Sequence, residues 1–250
     1  MRLCALALAM WPAVAGAQTI TSAEFVEPTT RYDHGILGDA VEWGGLEITT
    51  NGGAADSGPI LRGSRKTTWL IDLPDDQVFE DVEPRLWDVT GDGFPEVVVI
   101  HTHLEYGARL LVMGVGDRQA PVEIAQTPYI GRTHRWLAPI GAADLDGDGA
   151  VEIAYIDRPH LAKTLRIWRF VDGALTHVHD VPGLTNHRIG EDNIAGGIRD
   201  CGQGPEMITA NANWTRIMAT TFVDGRAQTR DIGVHESRAS FDAAMACDAS

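Results

Sequence analysis

Lysine is nearly absent from this 250-residue chain; only Lys66 and Lys163 occur, and arginine carries the rest of the positive charge. Lys and Arg number 20 against 35 Asp and Glu, a formal net charge of −15. That sign argues against nucleic acid and anionic membrane surfaces as partners, since both need a basic face. Long apolar runs are missing beyond the N-terminus, so no later segment reads as a membrane span. Sequence patterns for common chemistries are absent too: no G-x-S-x-G, no H-E-x-x-H, no P-loop and no dinucleotide fingerprint. Cysteine is scarce, with three residues in all.

The first 17 residues read as a secretory leader. Arg2 supplies a positive start, Leu3 to Val14 are apolar around Pro12, and Ala15-Gly16-Ala17 is a small-residue cleavage pattern. The expected product is a single domain over residues 18–250, exported to the periplasm or secreted. Cys4 would leave with the leader. Cys201 and Cys247 remain, 46 residues apart. An even count in an oxidising compartment predicts a disulfide between them. Closing a loop of that length stabilises by about 4 kcal/mol on a chain-entropy basis.

What the chain does have is a repeat. Asp88-Val89-Thr90-Gly91-Asp92-Gly93-Phe94-Pro95-Glu96 matches Asp144-Leu145-Asp146-Gly147-Asp148-Gly149-Ala150-Val151-Glu152, with first aspartates 56 residues apart. The same step reaches Asp200, where Asp200-Cys201-Gly202-Gln203-Gly204-Pro205-Glu206 is a shortened echo without the middle acids. Gly38-Asp39-Ala40-Val41-Glu42 is a fainter one. The period therefore predicts about four units. Each acidic segment leads into β-forming residues: strands are expected at 96–101 and 109–115, then at 151–156, 164–171 and 175–179 around an Asp172-Gly173 turn. The predicted fold is all-β and propeller-like, with about four blades, two of them carrying calcium loops.

The acidic segments suit a hard cation. Asp144, Asp146 and Asp148 alternate, so a chain curled around one centre can aim all three inward. Gly149 eases the turn, Ala150 offers a carbonyl, and Glu152 adds a carboxylate. Oxygen ligands at these spacings fit Ca²⁺. The matching set in the first segment is Asp88, Thr90, Asp92, the Phe94 carbonyl and Glu96, where the neutral Thr90 predicts weaker binding. An EF-hand would need a glutamate at position 12, and Val99 and Tyr155 stand there.

With these residues in view, the loops D-x-T-G-D-G-x-x-E-V-V-V and D-x-D-G-D-G-x-x-E-I-A resemble the FG-GAP and VCBS repeats of integrin α-subunit propellers and many exported bacterial proteins. The resemblance covers two units well and the third in outline. It implies a β-propeller with Ca²⁺ between the first two strands of a blade. The family often has Asp where this chain has Glu96 and Glu152. The third unit departs from the pattern, so no ion is expected there, and the disulfide is expected to hold it instead.

Histidine supplies the remaining candidates. His101/His103 and His177/His179 are H-x-H pairs that share a strand face. Thr133-His134-Arg135-Trp136 precedes the second acidic loop, and Thr185-Asn186-His187-Arg188 precedes the third. The corresponding stretch of the first unit is acidic: Glu80, Asp81, Glu83, then Arg85. In a propeller these stretches would converge at the end opposite the calcium loops, where His134, Arg135, His187 and Arg188 could bind an anionic or polar ligand. The expected role is a binding or scaffold module for a protein or glycan partner, with structural calcium. The competing expectation is a hydrolase or lyase working at the His-Arg face.

Overall fold

The computed structural model describes residues 19–54, 64–116 and 120–248. The leader expected at residues 1–17 lies outside them. The fold is all-β, with three antiparallel sheets and one short helix. The N-terminal strands are β1 (Thr19–Thr29), β2 (Glu42–Ala54), β3 (Ser64–Asp72) and β4 (Gln77–Phe79). Next comes β5 (Arg85–Trp87), β6 (Glu96–His103), β7 (Gly107–Val115) and β8 (Pro121–Gln126). A second run is β9 (Leu137–Ala143), β10 (Glu152–Asp157), β11 (Thr164–Val171) and β12 (Ala174–Pro182). After the short β13 (Leu184–Thr185), a third run is β14 (Gly197–Asp200), β15 (Pro205–Asn211), β16 (Arg216–Val223) and β17 (Arg226–Val234), followed by α1 (Arg238–Met245).

Strands β5–β8, β9–β12 and β14–β17 are thus three four-stranded antiparallel meanders. In each, an acidic segment joins the first strand to the second, as the 56-residue period implies. The predicted strands all form, and the Asp172-Gly173 turn has a counterpart at Asp224-Gly225. Both residues of each pair have positive φ, +51° and +75° in one and +50° and +71° in the other. That is the geometry a two-residue hairpin requires, and Asp-Gly supplies it at low cost.

Gly38–Glu42 does not open a fourth sheet. It lacks the alternating acids that shape the other loops, and it leads into the long β2, which pairs with β1 and β3 and joins the first sheet where Trp43 faces Phe79. The reason this hairpin is retained is apolar burial. Strand β6 is apolar on both faces: Val98 and Ile100 enter the central core, while Val97 and Val99 pack with Phe25, Leu46, Ile48 and Phe79. The central core runs through all three meanders, from Leu110 and Val112 through Trp136, Ile153 and Ile167 to Met207 and Phe222. At the other end α1 buries Phe241 and Ala244 against Ile208, Ala210 and Ile217. No helix among the described residues is long and apolar enough to cross a membrane.

Cys201, within the shortened third loop, is bonded to Cys247 just after α1, with Cα atoms 5.7 Å apart. The bridge ties that loop to the C-terminal segment. Replacing both cysteines by serine should lower stability by about 2–4 kcal/mol, read as a reduced midpoint in urea unfolding; an unchanged midpoint would mean that the bridge does not hold the third meander.

Candidate functional site

The three acidic loops share a backbone scaffold. Asp88 accepts the N–H groups of Gly91, Asp92 and Gly93 at 2.8, 3.1 and 2.9 Å. Asp144 accepts those of Gly147, Asp148 and Gly149 at 2.7, 3.1 and 3.0 Å. Asp200 keeps the role in the shortened loop, accepting Gly202 and Gly204. The first aspartate therefore shapes the turn in every copy. Asp92 and Asp148 repeat a second contact, accepting the N–H of Phe94 and of Ala150, both at 2.8 Å.

A buried glutamate opens the second strand of each meander: Glu96, Glu152 and Glu206. An ionised carboxylate away from water needs compensation. Glu96 receives it from neutral donors, the N–H groups of Val89 and Thr90 at 2.8 and 3.1 Å and the Thr90 hydroxyl at 3.3 Å. Glu206 is clamped by Arg199 and Arg230, both at 2.6 Å. Burial pushes Glu206 up, but the two guanidinium groups outweigh it, and the net shift is downward. Glu152 accepts the Leu145 N–H at 2.9 Å and faces Arg169 across the strand pair.

Only the Asp144 loop, among the described residues, gathers three carboxylates tightly enough to share a metal ion. Oxygens of Asp144, Asp146 and Glu152 lie within 4.8 Å of one another, about the greatest separation open to two ligands ~2.4 Å from the same ion. Arg169 now bridges this cluster: Nε to Glu152 at 2.5 Å, Nη2 to Asp146 at 2.5 Å and Nη1 to Asp148 at 2.8 Å. The guanidinium does not satisfy everything, since Oδ1 of Asp146 is buried with no hydrogen-bond partner. The donor set therefore fits a hard divalent ion, with Arg169 moving aside. In the first meander Gly114 sits beside Glu96, where a Cβ would lie 3.7 Å from its Cγ, and among the described residues no arginine bonds to Glu96.

No family model matches the chain, and no curated protein matches its sequence. Functional meaning has to come from the loops and from the opposite end of the same strands. Strand β9 runs from Trp136 to the Asp144 loop, so its two ends are separated by roughly 20 Å.

At the Trp136 end lies a pocket of about 200 Å³. The loop at residues 31–38 forms one wall by reaching across the meanders. His34 Nδ1 contacts the buried Glu80, the Tyr32 hydroxyl accepts the His134 N–H at 2.6 Å, and the Ile36 carbonyl accepts the Gly190 N–H at 3.1 Å. His134 is held on the rim, stacked on Tyr32 at 5.0 Å between ring centroids. Its φ of +52° places a non-glycine residue in the left-handed region, a conformation that persists only where neighbours fix it.

The four residues predicted for this end separate. His134 and Arg135 line the pocket. His187 is fully buried behind it, 3.0 Å from His160, and Arg188 lies instead over the Trp214 ring at 4.4 Å. The H-x-H pairs gather no third metal ligand among the described residues. His101 is engaged by Gln77 and Arg109, and His177 by Asp180 at 2.8 Å. Sequence reasoning missed His34 and His160, which stand in no motif. It noted Glu80 only as part of an acidic stretch.

Behind the pocket, burial drives several acids toward their neutral form. Thr102 donates to Glu80 at 2.7 Å, yet burial and Asp81 hold Glu80 well above the usual carboxylate range. Glu42, at the start of β2, is pushed up to about 9 by burial and by Glu80, and its Oε2 has no partner. A raised folded-state value means that the native protein keeps this proton while the unfolded chain loses it. Stability should therefore fall as pH rises from about 5 to 9, and Glu42→Gln should flatten that slope by up to about 1.4 kcal/mol per pH unit. Urea unfolding across this range measures it; identical slopes in both proteins would show that Glu42 is ionised in the fold.

Proposed function

We propose that this chain is an exported, calcium-binding β-repeat protein of the propeller type, acting as a binding module for a protein or glycan partner. The three consecutive meanders, each with an acidic segment between its first two strands, support the propeller reading and the likeness to FG-GAP and VCBS repeats. The disulfide and the leader-like N-terminus support export to the periplasm or beyond.

The observation that carries calcium is the unpartnered, buried Oδ1 of Asp146 within the cluster of Asp144, Asp146 and Glu152. Asp148 and the Ala150 carbonyl complete an all-oxygen set suited to Ca²⁺. In the first loop Asp88, Thr90, Asp92, the Phe94 carbonyl and Glu96 would hold a second ion. There the neutral Thr90 weakens the ligand set, and Glu96 is met by backbone and hydroxyl donors rather than, among the described residues, by an arginine. The ion's role is structural: it supplies the positive charge that Arg169 supplies without it. A hydrolase or lyase at the other end is the second reading, favoured by the His34–Glu80 contact at the pocket.

Extracellular modules bind Ca²⁺ at about 10⁻⁴–10⁻³ M, so about 5 mM Ca²⁺ should stabilise the chelated protein by about 1–2 kcal/mol. That corresponds to a rise in melting temperature of about 2–8 °C. Asp146→Ala should remove most of the rise, and Thr90→Ala little of it. Arg169→Gln should melt lower in chelator and gain more from Ca²⁺ than the parent. A melting temperature indifferent to Ca²⁺ in all four proteins would leave the acidic segments as turns alone.

A further inference from the structure

We propose that the pocket at the Trp136 end binds a small organic carboxylate with an apolar body, its anion held by Arg135 and His34. The site is separate from the acidic loops and does not depend on their binding calcium.

The charge argument is local. Two arginines line the pocket, Arg135 and Arg158. Arg158, also on the pocket wall, is spent on Asp157 through Nε and Nη2, both at 2.8 Å. Arg135 is different: it is half-buried, its Nη1 donates to the His134 carbonyl at 2.6 Å, and it has no carboxylate partner among the described residues. A half-buried cation without a counter-ion, facing a cavity, is complementary to an anion.

The imidazoles add directional donors and acceptors. His187 Nε2 lies 2.8 Å from the Glu191 carbonyl, which can only accept, so this nitrogen carries the proton. Burial holds His187 below its ordinary value and so favours the neutral ring. Its Nδ1 must then accept from His160 Nε2 at 3.0 Å, leaving the His160 Nδ1 lone pair for the pocket. His160, pushed down to about 4 by burial and by His187, stays neutral as well. His34 has the opposite polarity. Its Nδ1 is occupied by Glu80, whose other oxygen accepts from Thr102; burial favours the neutral Glu80, which donates to Nδ1 and so leaves the His34 proton on Nε2. The proximity of Arg135 to His34 is felt as a downward push on the His34 pKa, second to burial, to about 4. Arg135 and His34 thus form the donor side, and His160 is an acceptor for a ligand hydroxyl.

The remaining surface is apolar. Trp136 and Ile36 form the buried wall, while Leu161 and Ile189 stand at the mouth with 63% and 70% of their surfaces exposed. Two exposed aliphatic side chains flanking a cationic pocket fit an amphipathic ligand better than inorganic phosphate. A volume near 200 Å³ accommodates a ring with a short acidic arm, since an apolar cavity of about 150 Å³ holds benzene.

Mandelate, an aryl hydroxy acid, is the probe, with benzyl alcohol as its neutral counterpart and inorganic phosphate as the plain anion. Calorimetry and tryptophan fluorescence on the full chain should give a Kd on the order of 1 mM or tighter for mandelate. Benzyl alcohol and phosphate should bind at least about tenfold more weakly. Arg135→Gln should weaken mandelate by about tenfold or more, Arg135→Lys by less, and Arg188→Gln not at all. Matching melting temperatures among the variants separate lost binding from lost folding. No saturable mandelate signal in the folded parent overturns the proposal. So does mandelate binding that survives Arg135→Gln, or tighter binding of either control probe.

Discussion

Each meander buries a glutamate at the start of its second strand, and the rest of the structure is arranged around compensating it. Burying a carboxylate costs several kcal/mol unless hydrogen bonds or a cation replace the lost water. The three copies reach three solutions. Backbone and hydroxyl donors surround Glu96, a single guanidinium reaches Glu152, and two guanidinium groups clamp Glu206. The third copy, clamped by two arginines, has lost both middle acids of its loop. The second copy keeps both, Asp146 and Asp148, with an arginine among them, while the first keeps Asp92 and has Thr90 in the other place.

That contrast bears on ion binding. A cation at the Asp144 loop has to displace Arg169, whose side chain lies near the surface with 22% of its area exposed and has solvent to move into. Ion binding there would exchange one internal cation for another. The opposite ends of the same strands are organised by the loop at residues 31–38, which bonds to the segments leading into the first, second and third meanders in turn. The same segment also walls the pocket through His34 and Ile36, so a structural tie and the pocket lining share residues.

Much of this was legible in the sequence. The 56-residue step placed the loops and strands, because a turn that needs Asp at its first position and Gly at φ > 0 leaves its mark in composition. The cysteine count gave the disulfide pairing. Arg169 was not legible, since its place beside Glu152 depends on the register of β10 and β11 rather than on distance along the chain. The N-terminal strands were read as a weak fourth unit because Gly38-Asp39 looks like an acidic turn; what decides their position is the apolar second face of β6. His34 escaped notice because its partner Glu80 is 46 residues away in no motif. One signal was available: Trp136 donates to the Glu80 carbonyl at 2.6 Å, and the two stand one repeat step apart.

The most direct measurement of the central claim, that the Asp144 loop is a cation site with an internal competitor, is calorimetric titration of the chelated protein with Ca²⁺. The account predicts saturable heat with a Kd of about 10⁻⁴–10⁻³ M, a lower Kd in Arg169→Gln and no binding at this loop in Asp146→Ala. Titrations without heat in both the parent and Arg169→Gln, or heat unchanged by Asp146→Ala, would contradict it.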